Sequence, residues 1–534
     1  MRRRTPLKLV TGAAVLALLV TACGGDATDD DQSPGEAGGE AAQDSGEEEG
    51  ESEGAVAAPT GGTLVVAESN VPENFDPIRT SLIQTSYVWQ WTYESLIEVK
   101  PDGTIEPLLA TSWDISDDGL TYTFELREGV QFHNGQAFDA EDVVFSFERM
   151  LADGIPYATG RFPTLESVEA VEPLKVVFEL SEPDSGFLSN HGNPFMFGAA
   201  IVSRTAAEEL DLSSEMVGTG PYQWVEYSPD QELVLARFED YWRDDLPLAD
   251  NVVVRYIPEQ SAQVAALRAG DIDVMFPSSE TQRMLEADAS VQVEAVSSPF
   301  VIRLGTAGSP PFDDVRVRQA LALAIDRQEI VDGAMLGAGT PSGYVPPAYE
   351  WATPVDELPH HTQDSERAKE LLAEAGYPDG LEIEISHLAS YASYMDRFIE
   401  ILQSQLEEVG ISSTIIPREI TTWQDYLETA NYDITPNEFS FQPDPYWYIV
   451  PREGRQSPNP PELQELLDEV KAASAEDLPD AINEVQLWQA ENVFPDLGIA
   501  ARDQWVAARE GVSLATPEFS MSRRFLFETA PPTS

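Results

Sequence analysis

Five histidines, one cysteine and two aromatic-rich stretches are the places where this 534-residue chain could do chemistry. The histidines are His133, His191, His360, His361 and His387. None belongs to a His-Glu-x-x-His pair, which would set two zinc-binding imidazoles on one helix face beside a general base. No Gly-x-Ser-x-Gly elbow and no phosphate-cradling glycine loop accompanies them. His360 and His361 are adjacent in a Leu-Pro neighbourhood that reads as loop, and on regular structure they would point apart. His133, between Phe132 and Asn134, reads as a hydrogen-bonded structural imidazole. Carboxylate pairs of the glycoside-hydrolase kind are available by sheer number among 94 acidic residues, and no spacing selects one. We therefore expect no catalytic residue, no metal and no cofactor. The rival class is a lipid-anchored secreted hydrolase.

Cys23, the only cysteine, follows Thr21-Ala22 and precedes Gly24-Gly25. Ahead of it lie Arg2, Arg3, Arg4 and Lys8, then an apolar core from Ala13 to Val20. A basic region, a short apolar region and a small-residue approach make an export signal. The apolar core is too short for a membrane span, which takes ~20 residues. The thiol stands where a bacterial lipoprotein is cleaved and acylated, and a sole cysteine forms no intramolecular disulfide. Arg3-Arg4-Thr5-Pro6-Leu7-Lys8 half-matches a twin-arginine signal, although Pro6 stands where an apolar aromatic is usual, so both export routes stay open. Residues 1–22 read as a lipoprotein signal peptide, and 23–60 as a lipidated cysteine plus acidic tether. From Gly24 to Thr60 there is no aromatic and no basic residue, so too little apolar surface exists to offset the ordering of the backbone.

The whole chain carries a net charge of −63. Setting aside the four cations of the signal and the twelve acids of the tether leaves about −55 on the remaining body. That charge excludes a nucleic-acid groove or an anionic-membrane patch. Lysine occurs only at Lys8, Lys100, Lys175, Lys369 and Lys471. An acidic, lysine-poor exported protein suggests adaptation to high salt, where self-repulsion is screened. A GC-rich genome would explain the scarcity of lysine but not the acid excess.

The elements that would hold a site are legible in outline. Gly62 to Ala67 reads as an opening strand, as do Leu233–Leu235, Val252–Tyr256 and the alternating Glu382–Ile385. Tyr122, Phe124 and Leu126 alternate with polar residues after the turn at Asp118-Gly119, which predicts a hairpin. Asp139 should cap a helix that turns Val143, Val144, Phe147 and Met150 inward. Further helices are expected over Ser261–Ala269, Val315–Met335, Ser365–Ala375, Met395–Glu408 and Pro461–Ala473. Strands alternating with helices give an α/β class with mixed sheets and more than one lobe.

The run Pro107 to Gly135, with Trp113, Asp118-Gly119, Phe124 and Phe132-His133-Asn134-Gly135, closely resembles the hallmark segment of the bacterial extracellular solute-binding proteins of family 5. The resemblance continues in order through Asn74-Phe75-Asp76-Pro77, Tyr93-Glu94-Ser95-Leu96, Gly218-Thr219-Gly220-Pro221-Tyr222, Tyr241-Trp242, Ala266 to Asp273, Asp313 to Arg327 and Ala368 to Gly376. It implies a three-lobed periplasmic-binding-protein-like fold, a Venus flytrap with mixed sheets and a hinge-closed ligand cleft. It implies lobe I at 61–98, 196–300 and 498–534, lobe II at 99–195 and lobe III at 301–497. It implies an exported monomer, lipid-anchored on the outer face of the cell membrane, that hands a peptide or other small-molecule ligand to the permease subunits of an ABC importer. Trp113, Phe124, Phe132 and His133 would then be core.

Aligned on Asp76-Pro77, Ser81 and Ile83 fall at ligand-contact positions, with Tyr87, Trp89 and Trp91 close behind. The second aromatic region supplies Trp423, Phe439, Ser440, Gln442, Asp444 and Trp447. Trp423 and Phe439 match aromatics that line the cleft in relatives, though core packing would explain Trp423 and Trp447 equally. The aspartate that meets a ligand's free amine in relatives falls at Gln442, or at Phe441 with the gap moved by one, and Asp444 belongs to the later Asp-Pro pair. A neutral amide cannot supply that charge-assisted bond of ~1.5–3 kcal/mol. An oligosaccharide, another neutral solute or an N-blocked peptide therefore gains weight against an ordinary peptide.

Overall fold

A computed structural model describes residues 61–532, apart from 80–82, 101–103, 193–195, 297–299, 350, 390–392, 420–421, 424–431, 440–445, 451–458, 475–476 and 517–521. The chain enters on β1 (Thr63–Glu68), whose Leu64 and Val66 turn into the core at alternate positions. A ribbon of β2 (Ile97–Val99) and β3 (Ile105–Pro107) leads to β4 (Ala110–Ile115), β5 (Thr121–Leu126), β6 (Leu165–Glu172) and β7 (Lys175–Leu180). The last four form an antiparallel sheet ordered β4-β5-β7-β6. The expected hairpin is its first pair, with Gly119 at φ +70° and Tyr122, Phe124 and Leu126 buried on one face.

Helix Ala140–Asp153 packs on this sheet. Asp139 accepts from the Glu141 amide at 3.0 Å, and Asp142 accepts from the Asp139 amide at 3.1 Å, so two donors of the helix start are satisfied. Val143, Phe147 and Met150 are buried as expected, and Val144 is half-buried.

Next come β8 (Tyr222–Ser228), β9 (Glu232–Arg237), β10 (Asn251–Tyr256), β11 (Val274–Met275) and β12 (Val291–Val296). They are followed by β13 (Val301–Thr306), β14 (Gly339–Pro341), β15 (Leu381–Leu388), β16 (Ile411–Arg418), β17 (Ile434–Phe439) and β18 (Asp496–Arg502). The final strand is β19 (Gln504–Arg509). One mixed sheet runs β12-β19-β11-β1-β10-β9-β8 and the other β14-β18-β13-β17-β15-β16. In the first, β1 is parallel to β10 and β11; in the second, β15 is parallel to β16 and β17. The chain passes between the two sheets twice, from β12 to β13 and from β18 to β19, the second time through Asp503 alone.

Two expectations need correction. The single helix read over Val315–Met335 is two helices, Val315–Ala324 and Arg327–Ala334. Ile325 ends the first and Asp326 starts the next, its carboxylate accepting from the Glu329 amide at 3.0 Å. Helix Leu478–Asn492, which the sequence reading did not mark, packs on Pro461–Ala472.

Desolvation shifts three histidine rings toward the neutral form. His191 lies among Phe124, Phe147 and Phe178, and burial pulls it down to about 4. His133 is likewise lowered to about 4 by burial, and His361 falls well below its ordinary value. With folded values under the unfolded ~6.5, these rings contribute stability that is fully present above pH 6.5 and is lost as pH falls toward 4. Each adds a slope of about 1.4 kcal/mol per pH unit in that window. Urea unfolding at pH 7 and pH 5.5 should show the loss, and equal stability at the two values would contradict it.

Candidate functional site

Four stretches that the sequence sets far apart meet at one buried carboxylate. Glu94, 2% exposed, accepts from Thr219 Oγ1 at 2.8 Å, from the Tyr241 hydroxyl at 2.9 Å and from Trp242 Nε1 at 3.1 Å. Burial raises its pKa, while Arg524 and these three donors pull it back. Arg127 lies 4.2 Å over the Trp242 ring. His133 joins the same knot, since its Nε2 faces the Gly220 carbonyl at 2.8 Å and its Nδ1 faces the Gly218 amide at 3.4 Å. An acceptor Nδ1 and a donor Nε2 define one neutral tautomer, which fits the lowered pKa. A Cβ on Gly218 would lie 2.1 Å from the Thr92 carbonyl oxygen, so only glycine fits there. This knot ties residues 94, 219, 241 and 242 together through side-chain hydrogen bonds.

Two further charged clusters lie at strand ends of the two large sheets. In open α/β sheets the carboxyl ends of parallel strands are the usual binding edge. Glu68 closes β1, Phe276 follows β11, and Glu438 stands at the penultimate position of β17. Arg523 donates from Nε to Glu68 at 2.8 Å, and its guanidinium is sandwiched 3.9 Å from the Tyr87 ring and 3.5 Å from Phe276. On the other sheet, Arg502 donates from Nε to Glu438 at 2.9 Å and lies 4.9 Å from Phe300 and 5.4 Å from Tyr394. The two clusters sense each other. Burial pushes the Tyr87 hydroxyl up to about 12, Arg523 and Arg502 both oppose that shift, and Glu68 adds to it. Each of the two large sheets thus carries an Arg–Glu pair walled by aromatic rings.

At one rim the sheets are also tied through helices. Arg397, on helix Ser393–Glu408, donates to the Ala334 carbonyl from Nε at 2.9 Å and from Nη2 at 2.7 Å. Its Nη2 also meets Glu280 Oε1 at 2.9 Å, on helix Ser279–Glu286 beside β12. Arg283 of that second helix donates back to the Leu336 carbonyl. Both arginines therefore reach the C-terminal end of helix Arg327–Ala334, where cations are favoured.

Of the residues read from sequence, Cys23, Ser81, Ser440, Gln442 and Asp444 lie outside the described residues. Ile83, Phe439 and Trp447 are described by backbone only: Ile83 opens helix Ile83–Trp89, Phe439 pairs with Val301 at the end of β17, and Trp447 lies in the turn of helix Tyr446–Ile449. Trp423 is half-buried, and its Nε1 has no hydrogen-bond partner among the described residues. Trp89 and Trp91 are not cleft walls. They are 0% and 2% exposed in the core, where Trp91 packs on Tyr222 and Trp89 on Phe197. Arg502, Arg523, Glu68 and Glu438 were missed. The one available signal was Arg523-Arg524, the only adjacent arginine pair beyond the first four residues.

The model of bacterial extracellular solute-binding proteins, family 5 (middle), matches residues 104–457, and the chain belongs to that family. It is 33% identical over 419 residues to heme-binding protein A of Haemophilus influenzae, covering 72% of this chain and 75% of that one. It is 32% identical over 361 residues to the glutathione-binding protein GsiB of Salmonella paratyphi A, covering 66% and 69%. Among solved structures, a dipeptide-binding protein from a Pseudoalteromonas species in complex with Met-Leu superposes with a TM-score of 0.72. That match is 26% identical and covers 88% of this chain and all of the other. Among the described residues no helix is long and apolar enough to cross a membrane.

Proposed function

We propose that this protein is the substrate-binding component of an ABC importer that captures a short peptide or peptide-like solute. It would be a non-catalytic monomer, closing by hinge motion and delivering its ligand to the permease. Lobe I would comprise 61–98, 196–300 and 498–534, lobe II 99–195 and lobe III 301–497. The observation that carries this reading is the pair of Arg–Glu–aromatic clusters at strand ends of the two large sheets, near enough for Arg523 and Arg502 both to act on Tyr87. Such a cleft offers flat apolar walls and a few charged groups, which is what a zwitterion of two or three residues needs. Glutathione and Met-Leu, named with two of the similar proteins, are of that size. An uncharged solute is the second reading, supported by the sequence alignment that puts Gln442, or Phe441 with the gap moved by one, where relatives carry the amine-binding aspartate.

Thermal-shift screening of peptides and oligosaccharides tests both. A ligand at ~100 times its Kd should add ~2.7 kcal/mol of stability. Product accumulating with time from any hit would move the protein to the enzymes. Free and N-acetylated forms of a binding peptide then separate the readings, because a loss of about tenfold on acetylation means a carboxylate meets the amine.

Cys23 is proposed as the membrane attachment, acylated after export. Cys23→Ala should leave the precursor unprocessed or release the protein to the medium. Normal processing with full membrane retention in that variant would refute the anchor.

A further inference from the structure

Arg303 of β13 is among the largest fully buried side chains of the protein, at 2% exposure. Asp496 Oδ2 stands 4.0 Å from its Nη1, longer than the ~2.7–2.9 Å of a charge-assisted bond. Nη2 instead donates to two backbone carbonyls, those of Tyr344 and, at 2.7 Å, Tyr448. An apolar side chain of similar volume often replaces a buried charged group with no loss of stability. What such a side chain could not do is join two carbonyls from separate segments, which a guanidinium does with rigid geometry. Strand β13 thereby holds both ends of one stretch. Val301 pairs with Phe439 where β17 ends, and Arg303, two positions on, grips Tyr448 in the helical turn Tyr446–Ile449. Between those anchors fall Ser440, Gln442 and Asp444, where the sequence puts ligand contacts; these three lie outside the described residues. The Tyr448 ring also packs 5.6 Å from Tyr349, and Gln489 donates to the Ile449 carbonyl at 2.8 Å.

We propose that Arg303 is a positioning residue for ligand capture. Too buried to touch a ligand itself, it fixes the Tyr448 carbonyl to β13 and so sets where the stretch 439–448 is held. Its second bond ties the chain at Tyr344 to the same guanidinium, so the two segments keep one spacing. The inference rests on the reading of the protein as a solute receptor.

The test uses the full-length protein, with calorimetry of Met-Leu, N-acetyl-Met-Leu and glutathione beside native-state amide exchange. Arg303→Met keeps the bulk and removes both bonds, whereas Arg303→Lys keeps the charge without the planar fork. Arg327→Met is the matched control. Arg327 is 4% exposed and donates to the Gly498 and His361 carbonyls at 3.0 and 2.5 Å, neither of which belongs to 439–448. Whichever probe the wild type binds should bind Arg303→Met about tenfold more weakly. Exchange over residues 446–450 should quicken in that variant while its Tm moves little. Arg327→Met should lower Tm yet leave affinity within about twofold and exchange over 446–450 unchanged. Wild-type affinity in Arg303→Met overturns the proposal. So does an equal loss in Arg327→Met, which would mark general loosening of the lobe. Should Arg303→Met fail to fold, Arg303→Lys carries the same comparison. A wild type that binds none of the three probes fails the peptide reading itself. That outcome is told apart because exchange needs no ligand: unchanged exchange over 446–450 in the Arg303 variant overturns the positioning role on its own, and quickened exchange supports it.

Discussion

Glu94→Gln is expected to lower the unfolding free energy by roughly 3 kcal/mol, because buried donors left without an acceptor cost ~1–3 kcal/mol each. Thr219, Tyr241 and Trp242 all donate to this one side chain. A carboxylate accepts them at two oxygens. An amide keeps one oxygen and turns an NH2 group against the remaining donors. Urea unfolding near neutral pH, with the slope compared to wild type, measures the loss. A loss under about 1 kcal/mol would mean that burial has won outright and Glu94 is held as the neutral acid, which an amide imitates well.

Arg523→Ala should do still more damage, and to two properties at once. Removing one partner of a buried ion pair costs ~3–5 kcal/mol, since the other charge is left desolvated. Here the stranded group is Glu68, and the Tyr87 and Phe276 rings lose the cation packed between them. Glu68→Gln on that background should recover part of the stability, because the uncompensated charge is then gone. Ligand affinity should not recover with it. A double variant that regains both would show that Arg523 only braces the lobe, and a single variant as stable as wild type would show that the pair contributes little.

What the sequence revealed follows the range of the forces involved. The β4–β5 hairpin, the Asp139 cap and the strand at β1 are set by neighbours a few residues apart, and their patterns could be read directly. Helix Leu478–Asn492 escaped because its inward face is partly polar: Gln486 and Gln489 are buried beside Ile482 and Val485. Those amides bond to distant backbone. Gln486 accepts from the Thr353 amide and donates to the Trp351 carbonyl, and Gln489 donates to the Ile449 carbonyl. Hydropathy alone cannot show such partners. The cleft failed to show for the same reason, as Arg523 and Glu68 stand 455 positions apart and nothing local marks either as paired. Aromatic density misled in the other direction. Trp89 and Trp91 cluster because the core takes large side chains, whereas Tyr87 packs on Arg523.

The rim arginines bear on how a captured molecule is let go. Arg397 and Arg283 come from opposite sides of the cleft and converge on the Ala334 and Leu336 carbonyls. Parting the lobes would withdraw Arg283 from Leu336 and Glu280 from Arg397, so the end of helix Arg327–Ala334 loses one of its two cationic partners whenever the cleft opens. On the proposed function, release would be coupled to fraying of a helix end, and by linkage whatever steadies that end would also hold the lobes together. The Arg397–Glu280 pair is partly exposed, at 31% and 44% of the two side chains, so dissolved salt screens it. Raising ionic strength should consequently shorten the residence time of a bound solute even where it leaves the encounter rate untouched. In a protein whose acidity fits a saline habitat, the medium itself would then set how quickly cargo is surrendered.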